Sequence, residues 1–168
     1  MKTSPPAHHL DIRKALGNFG TGVTVVTTLA SDGRKVGVTA NSFNSVSLEP
    51  FIVLWSLLKT SPSLAAFDHC GRFVVNVLAV DQVEVSRRFA SSISNKFEGI
   101  EHLGGLQGLP VIQDCASTFE CVTTQRLDVG DHILFLGEVV QFQSQTKPTL
   151  IFCQGQYAQS MPLDLSTV

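Results

Sequence analysis

Two runs decide the fold: Ser117–Leu127 (STFECVTTQRL) and His132–Gln143 (HILFLGEVVQFQ), parted only by Asp128-Val129-Gly130-Asp131. Both are rich in β-branched and aromatic residues, and a Gly-Asp break between such runs predicts a long antiparallel hairpin. Toward the N-terminus the same signal recurs. Val23–Leu29 mixes valine and threonine in a strand-like pattern, and Ser31-Asp32-Gly33 is a turn leading into a second strand at Val36–Ala40. Phe51–Trp55 is almost continuously apolar and bounded by Pro50 and a Ser/Thr/Pro cluster, which predicts a strand buried on both faces. Phe73–Leu78 and Leu150–Cys153 add two more strands. Three short helices are expected between them. Asp11 is read as the N-cap of one that puts Ile12, Ala15, Leu16 and Phe19 on one face. Ser61-Pro62-Ser63 reads as N-cap, N1 and N2 of another running to about His69. Asp81 and Glu84 have capping-box character at the head of a third, which carries Val85, Arg88 and Phe89. The glycine-rich stretch from Ser91 to Pro110 reads as a long exposed loop. Hairpin-linked strands with few helices predict a mostly β (α+β) chain, a small antiparallel barrel rather than an alternating parallel sheet.

Composition narrows the function classes. The chain has 168 residues, enough for one domain, with 43% hydrophobic residues. Only 15% are charged, 12 Lys and Arg with 14 Asp and Glu, against about 25% in an average soluble domain. So few charges on an apolar chain imply that part of the surface is an interface or a ligand cleft. A net charge of −2 and no basic cluster beyond Arg87-Arg88 argue against a nucleic-acid partner. No apolar run approaches the ~18 residues of a membrane span and no signal-peptide core opens the chain, so no membrane partner and a cytoplasmic protein are expected. Cys70, Cys115, Cys121 and Cys153 are scattered among apolar or small neighbours and read as free thiols. A zinc site built on His69-Cys70 lacks a second ligand pair, so no metal is expected.

The glycine patterns Gly17-x-x-Gly20-x-Gly22 and Gly104-Gly105-x-x-Gly108 fit neither a dinucleotide fingerprint nor a P-loop. The densest cluster of hydroxyl and amide side chains is Thr39–Ser47, directly after a strand. Period-two spacing puts Gly37, Thr39 and Asn41 on one face, where the bare Gly37 would let a flat ring approach the backbone. A polar loop capping its own backbone is the alternative. Lys59-Thr60-Ser61-Pro62-Ser63 combines hydroxyls, a helix start and an ammonium, and suits an anion as well as ordinary capping. Arg87, Arg88 and Lys96 are further phosphate candidates or surface charges. Asp131-His132, at the mouth of the long hairpin, could present a tuned imidazole to a ligand. No Gly-x-Ser-x-Gly elbow supports a serine hydrolase.

Arg13–Thr27, Gly37–Pro50, Phe73–Leu78, Phe89-Ala90, Lys96-Phe97, Phe119-Glu120-Cys121, Gly130-Asp131-His132 and Leu136–Val139 together resemble the short-chain flavin reductase family, in order and spacing, over about residues 11–158. The resemblance implies an antiparallel split β-barrel of the FMN-binding type. The domain would occupy 11–160, with tails at 1–10 and 161–168. It implies an NAD(P)H:flavin oxidoreductase that moves a hydride from NADH or NADPH to FMN or FAD and supplies reduced flavin to a partner flavin-dependent monooxygenase. Two alternatives stay open: a flavoprotein that retains FMN and acts on another substrate, and a non-enzymatic flavin-binding electron carrier. A homodimer is implied, with flavin near the interface. By the same resemblance Thr39, Ala40, Asn41, Ser42 and Phe43 line the ring and ribityl chain. Ser56, Leu57, Ser61 and Pro62 fall where the phosphate is held, with Phe89, Lys96 and Phe97 contributing, and His132 positions the nicotinamide. Two departures stand out: Phe51 where a second proline is common, and Trp55 where a smaller residue is common.

Overall fold

The computed structural model describes residues 9–162. In chain order it contains α1 (His9–Gly17), β1 (Thr21–Gly22), β2 (Thr24–Leu29), β3 (Lys35–Ala40), β4 (Asn44–Leu48), β5 (Phe51–Leu58) and α2 (Leu64–Cys70). There follow β6 (Arg72–Val77), α3 (Val83–Ala90), β7 (His102–Gly104), a 3-10 turn at Leu106–Gly108, β8 (Pro110–Ile112), β9 (Ser117–Val129), β10 (His132–Ser144), β11 (Leu150–Cys153) and β12 (Gln156–Gln159). The fold is mostly antiparallel β with three short helices. Seven strands form one sheet in the order β3-β2-β6-β9-β10-β5-β4, β1 joins β11 and β12, and β7 pairs with β8. No helix among the described residues is long and apolar enough to cross a membrane.

The decisive hairpin is longer than its sequence signal. β9 and β10 pair from Val129 opposite His132 to Ser117 opposite Ser144, so the turn is two residues, Gly130-Asp131, rather than four. Gly130 has φ +58°, the left-handed conformation that a two-residue hairpin turn asks of its first central residue. β10 also pairs with β5, so the barrel wall continues from the hairpin to β5 and the edge strand β4. At the opposite edge lies β3. It is not laddered to β5; instead Ser42, just past β3, accepts from the Ser56 backbone N–H at 2.9 Å and donates to the Ser56 carbonyl at 3.3 Å. One hydroxyl therefore closes a seam that a full ladder would otherwise seal, and this seam is the split in the barrel.

Trp55 fills the interior. Its ring stacks on Phe135 at 5.0 Å and meets the edges of Phe67 at 4.7 Å and Phe73 at 5.8 Å, all four rings being buried. A second core lies under α3, where Phe89 packs with Val23, Val25, Leu78, Ile112 and Leu150.

Several expectations are corrected. β5 is not buried on both faces: Val53, Trp55 and Leu57 point inward and are buried, the alternating Ile52, Leu54 and Ser56 are only half-buried, and Phe51 at the strand's start is exposed. His9 and Leu10 are already helical in α1, so Asp11 stands within the helix and not at its cap. Its apolar face stays exposed among the described residues: Ile12 and Leu16 are exposed, as is Phe19 beyond it. α2 starts at Leu64 with Ser63 as N-cap, and α3 is preceded by Gln82, whose side chain accepts from Ala79 N–H, so no capping box forms. The stretch 91–110 is not merely an exposed loop. It contributes β7, the 3-10 turn and the start of β8, and Leu109 is buried against Val74 and Val111. β4 and β12 were not foreseen. The tails expected at 1–10 and 161–168 fall, apart from 9–10 and 161–162, outside the described residues.

Candidate active site

The split opens on a groove of about 440 Å³. One wall is the end of β3 and the residues after it, Thr39 to Ser42; the facing wall is Ser56 to Leu58 of β5 with Ser61-Pro62-Ser63, and Phe89 to Ser92 with Lys96 close one end. His132 stands on the rim, because the β5–β10 register sets it opposite Leu58. Thus Thr39, Ala40, Asn41, Ser42, Ser56, Leu57, Ser61, Pro62, Phe89, Lys96 and His132 come together from six separate segments. Phe43 and Phe97 do not join them. Phe43 stacks on Phe119 at 5.7 Å, and Phe97 meets Phe89 edge-on at 5.0 Å beneath the groove. Each follows a lining segment in sequence but directs its ring into packing.

Local chemistry fixes the walls. Thr39 donates its hydroxyl proton to the Ser86 carbonyl of α3 at 2.6 Å, tying helix to strand. Gly37 is bare for the same reason: a Cβ there would lie 2.5 Å from the Phe89 ring, so the close approach belongs to Phe89 and not to a bound ring, as the sequence had suggested. The two family departures leave the groove alone. Trp55 points into the core, and exposed Phe51 pairs with Leu48 at the β4–β5 turn.

Lys96 is the principal charge of the groove. Its Nζ donates to the carbonyls of Phe89 at 2.7 Å and Gly37 at 3.3 Å, and no ion pair engages it among the described residues. Partial burial holds its ammonium below the ordinary lysine range. Arg88 is spent on presenting it, donating to the carbonyls of Lys96 at 2.8 Å and Asn95 at 3.0 Å. Arg87 pairs with Glu84 and lies over the Tyr157 ring. Lys59 turns away from Ser61 to Asp128 and the Gly130 carbonyl, clamping the β9–β10 turn against β5. The anion candidates of the sequence therefore reduce to Lys96 and the hydroxyls.

His132 Nδ1 lies 2.7 Å from Asp131 Oδ1. This hydrogen bond holds the Asp131 carboxyl below its ordinary value, so Asp131 accepts, Nδ1 carries the hydrogen, and Nε2 is left to a ligand. Among the described residues no hydrogen bond joins a histidine to a Ser, Thr or Cys side chain, so no activated nucleophile of that kind is assembled. Ser63, already part of the candidate anion site, lines the groove as well, and so do Ser91 and Ser92, which were missed. Their signal was the Ser91-Ser92-Ile93-Ser94 run immediately after α3, as hydroxyl-rich as the stretch after β3.

A family model described as flavin reductase like domain matches residues 16–161. The chain belongs to this flavin reductase family. It is 39% identical over 145 residues to the FMN reductase (NADH) SmoA of Agrobacterium fabrum, covering 86% of this chain and 82% of that protein. It is 40% identical to the reductase component of the flavin-dependent trigonelline monooxygenase of Acinetobacter baylyi, over 88% of this chain and 47% of that one. The chain spans about half the length of that relative and of another from Rhizobium meliloti. Among solved structures, the NADH:FAD oxidoreductase SgcE6 of Streptomyces globisporus, in complex with NAD and FAD fragments, superposes with TM-score 0.88 at 32% identity, covering 96% of this chain and 98% of that one. The flavin reductase PheA2 gives TM-score 0.86 at 35% identity over 93% of this chain and all of that one.

Proposed function

We propose that this chain is an NAD(P)H:flavin oxidoreductase that passes a hydride from NADH or NADPH to FMN or FAD and releases the reduced flavin to a partner flavin-dependent monooxygenase. The observation that carries this reading is the donor set of the groove: an ammonium with no carboxylate partner among the described residues, hydroxyls and strand-end backbone along the walls, and one imidazole on the rim. That set fits a flavin, a flat heteroaromatic with polar edges on a phosphorylated chain. When bound, the flavin supplies the hydride-accepting ring and the reduced nicotinamide supplies the hydride. The protein's own work is alignment and exclusion of water. Thr39 to Ser42 and Ser56-Leu57 set the walls, Ser61, Pro62 and Lys96 receive the phosphate, and His132 Nε2 takes the nicotinamide amide. Phe89 and Phe97 act from below by holding Gly37 and Lys96 in place. A pre-formed groove that needs no nucleophile and no metal suits direct transfer between two bound rings.

The working unit in this reading is a homodimer in the cytoplasm. The dimer is supported by the exposed apolar set Leu48, Phe51, Val140 and Phe142 on β4, β5 and β10. Steady-state oxidation of NADH and of NADPH, with FMN, FAD and riboflavin each added to purified protein, tests the activity. Flavin-dependent turnover is expected, and no oxidation with any flavin overturns it. A colourless preparation that turns over only on adding flavin supports release, whereas stoichiometric bound flavin supports the retained-flavin alternative.

A further inference from the structure

A second chamber of about 410 Å³ adjoins the groove and shares Pro62, Ser63, Ser91, Ser92 and Lys96 with it. Its volume is within the range of small-molecule sites, ~300–1,000 Å³. The outer face of β3 runs through both. Thr39 lies in the groove, Gly37 beneath Lys96 at the shared wall, and Lys35 in the second chamber, over a span of about 13 Å at the ordinary strand rise. The second chamber is not needed for a mononucleotide whose phosphate ends at Lys96. Its chemistry nonetheless continues the pattern. Arg34, Lys35 and Lys96 face it against a single carboxylate, Asp32, in a chain of net charge −2. Lys35 is held by an imidazole, His102 Nε2 at 2.6 Å, rather than by an acid. Asp32 accepts from Arg34 backbone N–H at 2.9 Å, while the Arg34 guanidinium lies 3.7 Å from it and stays exposed. Ser31 and Ser94 add hydroxyls, and Ala65 with exposed Ile93 offers an apolar ledge.

We propose that this second chamber is a nucleotide subsite that takes the adenylate half of a dinucleotide flavin, so that FAD is the flavin this chain prefers. The proposal rests on the flavin reading of the groove. Lys96 stands at the junction, where the first phosphate ends and the second begins. Arg34 and Lys35 meet the distal phosphate with charge-assisted hydrogen bonds. The purine lies over Ile93 and Ala65, and the serines serve the ribose and purine edges.

Equilibrium titration of the purified chain with FMN and with FAD, followed by flavin fluorescence, is the test. FAD is expected to bind roughly tenfold more tightly than FMN, the scale of one good charge-assisted contact. The double variant Arg34→Ala/Lys35→Ala should bring FAD to the FMN affinity and leave FMN within about twofold, since neither residue lines the groove. Ala65→Trp, at an exposed helix position, should do the same by filling the chamber without touching the core. Equal or tighter FMN binding by the parent chain overturns the proposal, as does an unchanged FAD affinity in both variants. Variants that raise only the KM for NADH or NADPH also overturn it and give the chamber to the pyridine nucleotide. If the parent chain binds neither flavin, it is the flavin reading itself that fails.

Discussion

Two aromatic assemblies share the barrel and differ in how they end. Trp55, Phe67, Phe73 and Phe135 pack against one another, each at 2% exposure or less, so this chain completes the assembly by itself. Phe43, Phe119 and Phe142 also stack in series, at 5.7 and 6.4 Å, but the row runs outward and stops at Phe142, which is 66% exposed. Residue type does not distinguish them. The difference lies in what covers the last ring, and it explains the shortage of charge: part of this surface is built like a core with one side missing.

Truncation separates the two most sharply. Trp55→Ala should cost about 3–5 kcal/mol in urea or thermal unfolding, because the surrounding rings cannot collapse into the space. Phe142→Ala should change the unfolding of the isolated chain by less than about 1 kcal/mol, as an exposed position implies. Equal losses at the two sites would erase the distinction. The next largest effect is on assembly. Phe142→Glu places a carboxylate on the open row, and sedimentation should show the proposed dimer falling to monomer while circular dichroism is unchanged. A monomeric parent chain with full activity would remove the interface reading. Phe43 belongs to this row and directly follows Ser42, so the monomer should also bind flavin more weakly.

Legibility follows the same division. The long hairpin could be read because both of its strands carry strand-forming residues up to a Gly-Asp turn. β4 was missed because Asn44–Leu48 (NSVSL) is mostly polar, its apolar Val46 and Leu48 both exposed, as an edge strand allows. Most of the groove was legible because the resemblance carries it residue by residue. Phe43 and Phe97 stand outside the groove lining because adjacency in sequence does not fix which way a side chain points. The second chamber was invisible, since Ser31–Val36 and Ser91–Lys96 meet only when α3 docks on β3.

His132 stands on the rim of the groove, at the end of β10 that leads to Phe135 and away from Phe142. Its role in the proposed reaction is confined to the nicotinamide, so His132→Ala should lower kcat/KM for NADH roughly tenfold, the value of one ligand hydrogen bond, with flavin Kd within about twofold. Loss of flavin affinity instead would move His132 from the donor to the acceptor. An unchanged reductase rate would take it out of the site.

The smallest effect is carried by the thiols, and it probes the closed assembly from within. Cys121 is wholly buried beside Phe73 on β9, two residues from Phe119, and Cys115 lies in the core under α3. Burial pushes each thiol up from 9.0 to about 12, since a thiolate there would be stripped of water. A folded-state pKa raised above the unfolded value means that the unfolded chain loses its protons first. Stability from these groups is therefore complete below about pH 9 and declines as pH rises toward 12. By pH 10 the decline should be about 1–2 kcal/mol for each thiol. Cys121→Ala trades that loss for a cavity cost that does not depend on pH, so its stability curve should be lower at neutral pH and flatter above pH 9. In the native parent chain at pH 8, a thiol reagent should reach the half-buried Cys70 and Cys153 first. Labelling of Cys121 at the same rate would mean that the closed assembly opens as readily as the row ending at Phe142.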